Sequence, residues 1–140
     1  MSKFILVDGY VAINGTDLSA WAHNLDTPME RDRVDVSGFN STGSKSYLAG
    51  AQDQTATIVF RQDFGSSAVH QTVQTLFANS STFGFEVRPT STVVSATNPR
   101  FWGTASIFTY NGLNGEISDV AEVTVELRPA DATGFVWATS

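Results

Sequence analysis

Two histidines, three tryptophans and fourteen carboxylates are the side chains with which this 140-residue sequence could do chemistry. A Ser/His/Asp relay needs a histidine beside an exposed nucleophile and a buried carboxylate. No G-x-S-x-G elbow presents such a serine, and both His23 and His70 read as structural or solvated residues. The chain has no cysteine, which removes thiol catalysis, thiolate metal sites and disulfide scaffolds together. Metal-ligand spacings such as H-x-x-x-H or an acidic calcium loop are absent. Glu30, Asp32 and Asp35 instead alternate with Arg31 and Arg33, as on a solvated strand. Gly43, Gly50 and Gly65 stand alone and form no phosphate-cradling loop. Fourteen acids offer carboxylate pairs in any fold, so pairing alone points to no glycosidase. The sequence reads as a non-enzyme with no cofactor and no metal.

Trp21, Trp102 and Trp137 admit two readings: a sugar-stacking platform, or core and subunit contacts, where large aromatics concentrate. The net charge of −6 has the wrong sign for gripping nucleic acid by its phosphates, and Lys3 and Lys45 are the sole lysines. Fifteen Ser and sixteen Thr give a β-leaning surface. The apolar run Phe4-Ile5-Leu6-Val7 ends at Asp8, too short for a signal-peptide core or a membrane helix, so the expectation is a chain made in a cytosol. The sequons at Asn14, Asn40 and Asn79 are then chance matches.

The elements that must position these residues are mostly strands, and the length fits one domain, residues 1–140. Residues 3–13 read as a strand ending in the turn Asn14-Gly15. Asn24 to Val36 reads as a long exposed strand, a strand pair or part of a hairpin. Ser37 to Gly50 shows no periodicity and reads as a long loop with Phe39, Tyr47 and Leu48 as its large apolar groups. Thr55 to Phe60 alternates as a half-buried strand. Val69, Val73, Leu76 and Phe77 make one apolar stripe of a helix, with Ser66 or Ser67 placed to cap it. Phe83–Arg88, Arg100–Tyr110 and Glu116–Leu127 follow as strands, the last with Val123, Val125 and Leu127 facing inward and Glu122, Thr124 and Glu126 outward. A tail carrying Phe135 and Trp137 closes the chain. Runs of strands around one helix predict a mainly β fold, two packed antiparallel sheets (sandwich or barrel) flanked by that helix.

The order of these segments resembles the major tail protein, or tail tube protein, of siphophages. The residues that carry the resemblance are the leading strand into Asn14-Gly15-Thr16-Asp17-Leu18-Ser19, M-E-R-D-R-V-D-V-S-G-F (Met29 to Phe39), S-Y-L-A-G (Ser46 to Gly50), the strand Gln52 to Phe60 and G-E-I-S-D-V-A-E-V-T-V-E-L (Gly115 to Leu127). The resemblance implies a phage tail tube-like fold whose subunits close into hexameric rings. The rings stack into a hollow conduit for genome ejection, assembled in the bacterial host cytoplasm and carried in the virion tail. It implies an inter-ring loop at about 37–50 touching through Phe39, Tyr47 and Leu48, and a C-terminal arm at about 129–140 touching through Phe135 and Trp137. Expected partners are further copies of the chain, a tape-measure protein, a tail terminator and distal tail proteins. DNA would pass through the lumen without specific binding. A lumen for a sliding polyanion should be neutral or acidic, since each Lys or Arg there would add a phosphate contact, and Glu122, Thr124 and Glu126 are the expected lining. The rival readings are a β-sandwich binding or decoration module of a virion, and a terminator or connector of the same fold.

Overall fold

The computed structural model describes residues 4–39 and 42–140; Asn40, with its sequon, and Ser41 lie outside the described residues, as does Lys3. Strands β1 (Tyr10–Ile13) and β2 (Thr16–Asp17) are joined by Asn14 and Gly15, both at positive φ (52° and 79°). That conformation is the one a tight two-residue hairpin turn requires. Strands β3 (Ala22–Asp26) and β4 (Met29–Asp35) are one run broken at Thr27-Pro28, and β5 (Tyr47–Gln54) and β6 (Ala56–Arg61) are another broken at Thr55. Because β3 pairs with β6 and β4 with β5, these four strands form one long ribbon. The Thr55 N–H donates to the Pro28 carbonyl at 3.2 Å and bridges the break.

After β6 come helix α1 (Val69–Ala78), β7 (Phe83–Arg88), β8 (Arg100–Tyr110), β9 (Glu122–Pro129) and β10 (Val136–Ala138). The larger sheet is antiparallel with the order β2-β1-β7-β8-β9-β6-β3, and β10 pairs with the first residues of β8. Val11 and Ile13 of β1, next to one edge, and Ala22 and Leu25 of β3, at the other, pack in a single core cluster, so the sheet folds over on itself, with α1 packed against it. Alternate residues meet there: Ala56, Ile58 and Phe60; Phe83, Phe85 and Val87; Phe101, Ala105 and Ile107; Val123, Val125 and Leu127. The expected mainly β fold with one helix is present, and its two sheets are unequal. The second is only the β4–β5 half of the ribbon, an arm on which every β4 residue is exposed.

Several local expectations change. The leading segment, expected as a strand over residues 3–13, is a strand only at Tyr10–Ile13 among the described residues. The stretch Ser37–Gly50 is not all loop, because Tyr47, Leu48, Ala49 and Gly50 pair with β4. Both faces of that ribbon meet solvent, so its residues carry no hydrophobic alternation. The last long strand starts at Glu122, because Ser118 sits at φ 75° and the Asp119 N–H bonds the Glu116 carbonyl, closing a turn. The helix starts after Ala68 with no side-chain cap. Ser67 lies at φ 59°, its N–H donates to Gln71 Oε1 at 3.1 Å, and the His70 N–H donates to the Asp63 carbonyl. Phe77 falls off the buried stripe, and its ring lies tilted beside that of Tyr110, centroids 6.4 Å apart. Finally, the C-terminal segment folds back on its own domain: Phe135 is 0% exposed, and its ring centroid lies 4.5 Å from that of Phe85 and 5.7 Å from that of Phe101.

Candidate functional site: the assembly surfaces

The side chains with catalytic potential are occupied in structural contacts. His70 Nδ1 lies 2.7 Å from the Tyr110 hydroxyl, which also accepts from Gln62 Nε2, and this cluster ties α1 to the end of β8. His23 Nε2 lies 3.3 Å from Glu122 Oε1. Neither histidine has a serine beside it in a relay, and no group of three His, Asp or Glu able to hold a metal occurs among the described residues. The three tryptophans do not share a surface. Trp21 Nε1 donates to Asp63 Oδ2 at 2.8 Å, and Trp102 points away from the core with the Arg100 guanidinium 4.4 Å from its ring centroid. Trp137 pairs across the ladder with Phe101, so it lies on the opposite side of the sheet from Trp102.

Glu122, Thr124 and Glu126 lie on the face of β9 opposite its buried valines and leucine, as the alternation requires. Cross-strand neighbours of this row are Arg61, Val59 and Thr57 of β6. Arg128 bonds Glu126 at 2.7 Å and reaches Asp53 of the arm at 3.4 Å. Further along the same face Glu86 receives Arg100 at 3.2 Å and also Arg88, whose guanidinium stacks 4.2 Å from the Tyr10 ring centroid. The outward face is therefore a surface of compensated charge, with four arginines set among carboxylates.

The arm has two distinct faces, set by its register. Arg33 is opposite Ala49 and Asp35 opposite Tyr47, so Met29, Arg31, Arg33, Asp35, Tyr47 and Ala49 share one face. On it the Arg33 guanidinium lies 4.6 Å from the Tyr47 ring centroid. Val34 opposite Leu48, with Val36, makes the other face apolar near the tip. Gly50 sits where a Cβ would meet Asp32 Cβ at 3.0 Å, so a glycine lets the strands approach there. At the tip, Asp35 Oδ1 accepts the Ser37 N–H at 2.8 Å. The Ser37 hydroxyl first, and its N–H second, hold the Asp35 carboxyl below the ordinary carboxylate range. Phe39 stands at the tip, 112% exposed.

Of the residues expected to touch other subunits, Phe39, Tyr47 and Leu48 are exposed and gathered on the outer part of the arm. Trp137 is exposed as well, whereas Phe135 is committed to its own core because its ring fills the space over Gly103. Sequence reading missed a further surface, the 111–121 loop between β8 and β9. Leu113, Ile117 and Val120 point outward there, Ile117 at 98% exposure. Their i, i+4, i+7 spacing beside two Asn-Gly-like turns departs from strand alternation, which is the signal that marks them.

The fold is similar to that of solved tail assemblies. A chain of the SPP1 tail tube, solved by solid-state NMR and cryo-EM, superposes with a TM-score of 0.74 at 10% identity, covering 99% of this chain and 80% of that one. A chain from the virion of a native gene transfer agent particle gives 0.72 at 13% identity, over 94% and 95%. A chain from the tail of an empty gene transfer agent particle, refined with C6 symmetry, gives 0.66 at 13% identity, over 86% and 82%. No family model matches the sequence, and no curated protein matches it. The chain has the tail tube fold that the SPP1 chain represents.

Proposed function

We propose that this protein is a structural subunit of a bacteriophage tail tube, in which six copies close into a ring and rings stack into a conduit for the genome. The observation that carries the reading is the β4–β5 arm, a two-stranded ribbon exposed on both faces. A lone hairpin is marginally stable in water, and it gains its missing apolar contacts by lying on a neighbouring subunit. Likeness to a chain of the SPP1 tail tube and to a chain of a gene transfer agent tail refined with C6 symmetry supports the same reading. Ring closure also covers sheet edges, which otherwise template aggregation.

In this reading the row Glu122, Thr124 and Glu126 lines the bore. Arg128 there is bonded to Glu126, so a passing phosphate would have to displace a carboxylate to hold it. The role is non-enzymatic, the location is the virion tail, and the further partners are a tape-measure protein, a terminator and distal tail proteins. Deleting residues 41–46, in the sequence between β4 and β5, tests the assignment. The variant should keep the native circular dichroism spectrum and fail to form tubes in negative-stain microscopy. Unaltered tubes from it would refute the arm's role, and stable single rings from the intact protein would favour a terminator instead.

A further inference from the structure

The 111–121 loop and the arm lie at opposite ends of the same pair of strands. Strand β6 leaves the arm at Thr55 and ends at Arg61, which faces Glu122 at the start of β9, immediately after the loop. At the other end of β9, Arg128 contacts Asp53 at the base of the arm. Six residues of β6 at about 3.3 Å each separate the two ends by roughly 20 Å. Complementary surfaces at opposite ends of one molecule make a head-to-tail contact, the kind that extends into a filament.

Chemistry at the two ends is complementary. The loop is ordered by its own backbone: the Glu122 N–H bonds the Asn114 carbonyl at 3.0 Å and the Gln62 N–H bonds the Ala121 carbonyl at 2.9 Å. Yet it presents Leu113, Ile117 and Val120 to solvent, rimmed by Glu116 and Asp119. A pre-ordered loop loses little conformational freedom on docking. On the arm, Arg31 and Arg33 have no ion-pair partner among the described residues, and the Arg33 guanidinium lies over the Tyr47 ring. Below them the arm and the 131–134 turn enclose an open cleft of about 500 Å³, with Arg31 on its wall. The carboxylates beside that cleft are engaged: Asp53 with Arg128, and Asp131 with the Thr133 N–H.

We infer that the 111–121 loop of one copy seats against the Arg31/Arg33/Tyr47 face of the arm of a second copy, with Ile117 entering the cleft and Glu116 and Asp119 meeting the two arginines. This rests on the self-assembling reading above and names the surfaces that join. The absence of cysteine supplies a clean test. Single variants Ala49→Cys, on the arginine face, and Ile117→Cys are mixed under mild oxidation, with Leu48→Cys, on the opposite face, in place of Ala49→Cys as the control. The expected result is an Ala49–Ile117 heterodimer at least several-fold above either homodimer and above the Leu48 control. It should be lost when Arg31→Glu and Arg33→Glu are added to the arm variant, and restored when Glu116→Arg and Asp119→Arg are added to the loop variant. Equal cross-linking of the two faces, or none, overturns the inference. Microscopy of the same unlabelled protein separates the two claims. Tubes without this cross-link leave the tube reading standing and remove the docking, whereas cross-linked chains without tubes do the reverse.

Discussion

The docking of the C-terminal segment on its own domain makes a quantitative prediction. Phe135 is fully buried between Phe85 and Phe101, and Phe→Ala at such a site removes about 3–5 kcal/mol through lost transfer energy plus the cavity left behind. That is a large part of the roughly 5–15 kcal/mol by which a domain is stable. For a chain of this length, at about 4 °C for each kcal/mol, the melting temperature should fall by about 12–20 °C. Gly103→Ala attacks the same contact from beneath. Its Cβ would meet Phe135 Cδ1 at 2.7 Å and the Gly134 carbonyl oxygen at 2.8 Å. A backbone oxygen cannot rotate aside, so the segment must lift and lose up to the ~1.5–3 kcal/mol that burying a phenylalanine contributes.

Because both substitutions remove one docking event, the double variant should cost clearly less than the two single costs added together. Urea unfolding followed by tryptophan fluorescence reads each value, and hydrogen exchange at Val136 and Trp137 should quicken in Gly103→Ala before the rest of the sheet does. The reasoning fails if Phe135→Ala costs under about 1 kcal/mol, well below the core-truncation range. That result would mean the last eleven residues are already a free arm in the isolated subunit.

The remaining predictions concern two smaller contacts. Asp35 titrates low because Ser37 bonds its ionised form, so the stabilisation of the arm tip is fully present above the ordinary aspartate value of about 3.9 and is lost as pH falls through the lower folded value. Carboxyl carbon NMR should show Asp35 as a low-titrating aspartate, raised to the ordinary range by Ser37→Ala; a midpoint at or above that range would contradict the geometry. Trp21→Phe keeps an aromatic ring, though a smaller one, and removes the 2.8 Å bond to Asp63; it should cost at least about 1.5–3 kcal/mol, the range for a hydrogen bond to a charged group, with lost packing added. Denaturation indistinguishable from the unaltered protein would assign that bond no net value.

The parts legible in the sequence are those whose residues face two environments. Strands β7 and β8 match their expected limits, because Phe83, Phe85 and Val87, and then Phe101, Ala105 and Ile107, alternate between core and outside, and Pro89 follows β7. The helical stripe Val69, Val73 and Leu76 is buried for the same reason. Strand β5 was illegible because Tyr47 to Asp53 meet solvent or near-solvent on both sides, and a strand without an inside has no period of two. The helix start was misplaced since a serine at the expected cap took a left-handed turn while main-chain and glutamine partners met the free amides. Phe135 read as a contact for others because a single aromatic in a polar tail gives no periodicity from which to infer burial.

The charges that excluded a nucleic-acid role gain a more specific meaning from their placement. Four of the six arginines, Arg61, Arg88, Arg100 and Arg128, lie on the outward face of the large sheet, and three of them are bonded to carboxylates. The fourth, Arg61, stands across the ladder from Glu122. Such a face offers a polyanion almost no cation that is not already neutralised, so phosphate contacts there would have to break existing pairs. Arg31 and Arg33 are different: they stand unpaired among the described residues, on a ribbon that has no core, and Arg33 lies over a tyrosine. A cation left unpaired next to an aromatic, on an element too thin to be stable alone, is arranged for a partner that brings both carboxylates and apolar surface. Nucleic acid brings phosphates without the apolar surface, whereas the Leu113–Val120 loop of another copy brings both. In the proposed assembly the same six arginines divide between a wall that holds nothing and an arm that would hold the next subunit.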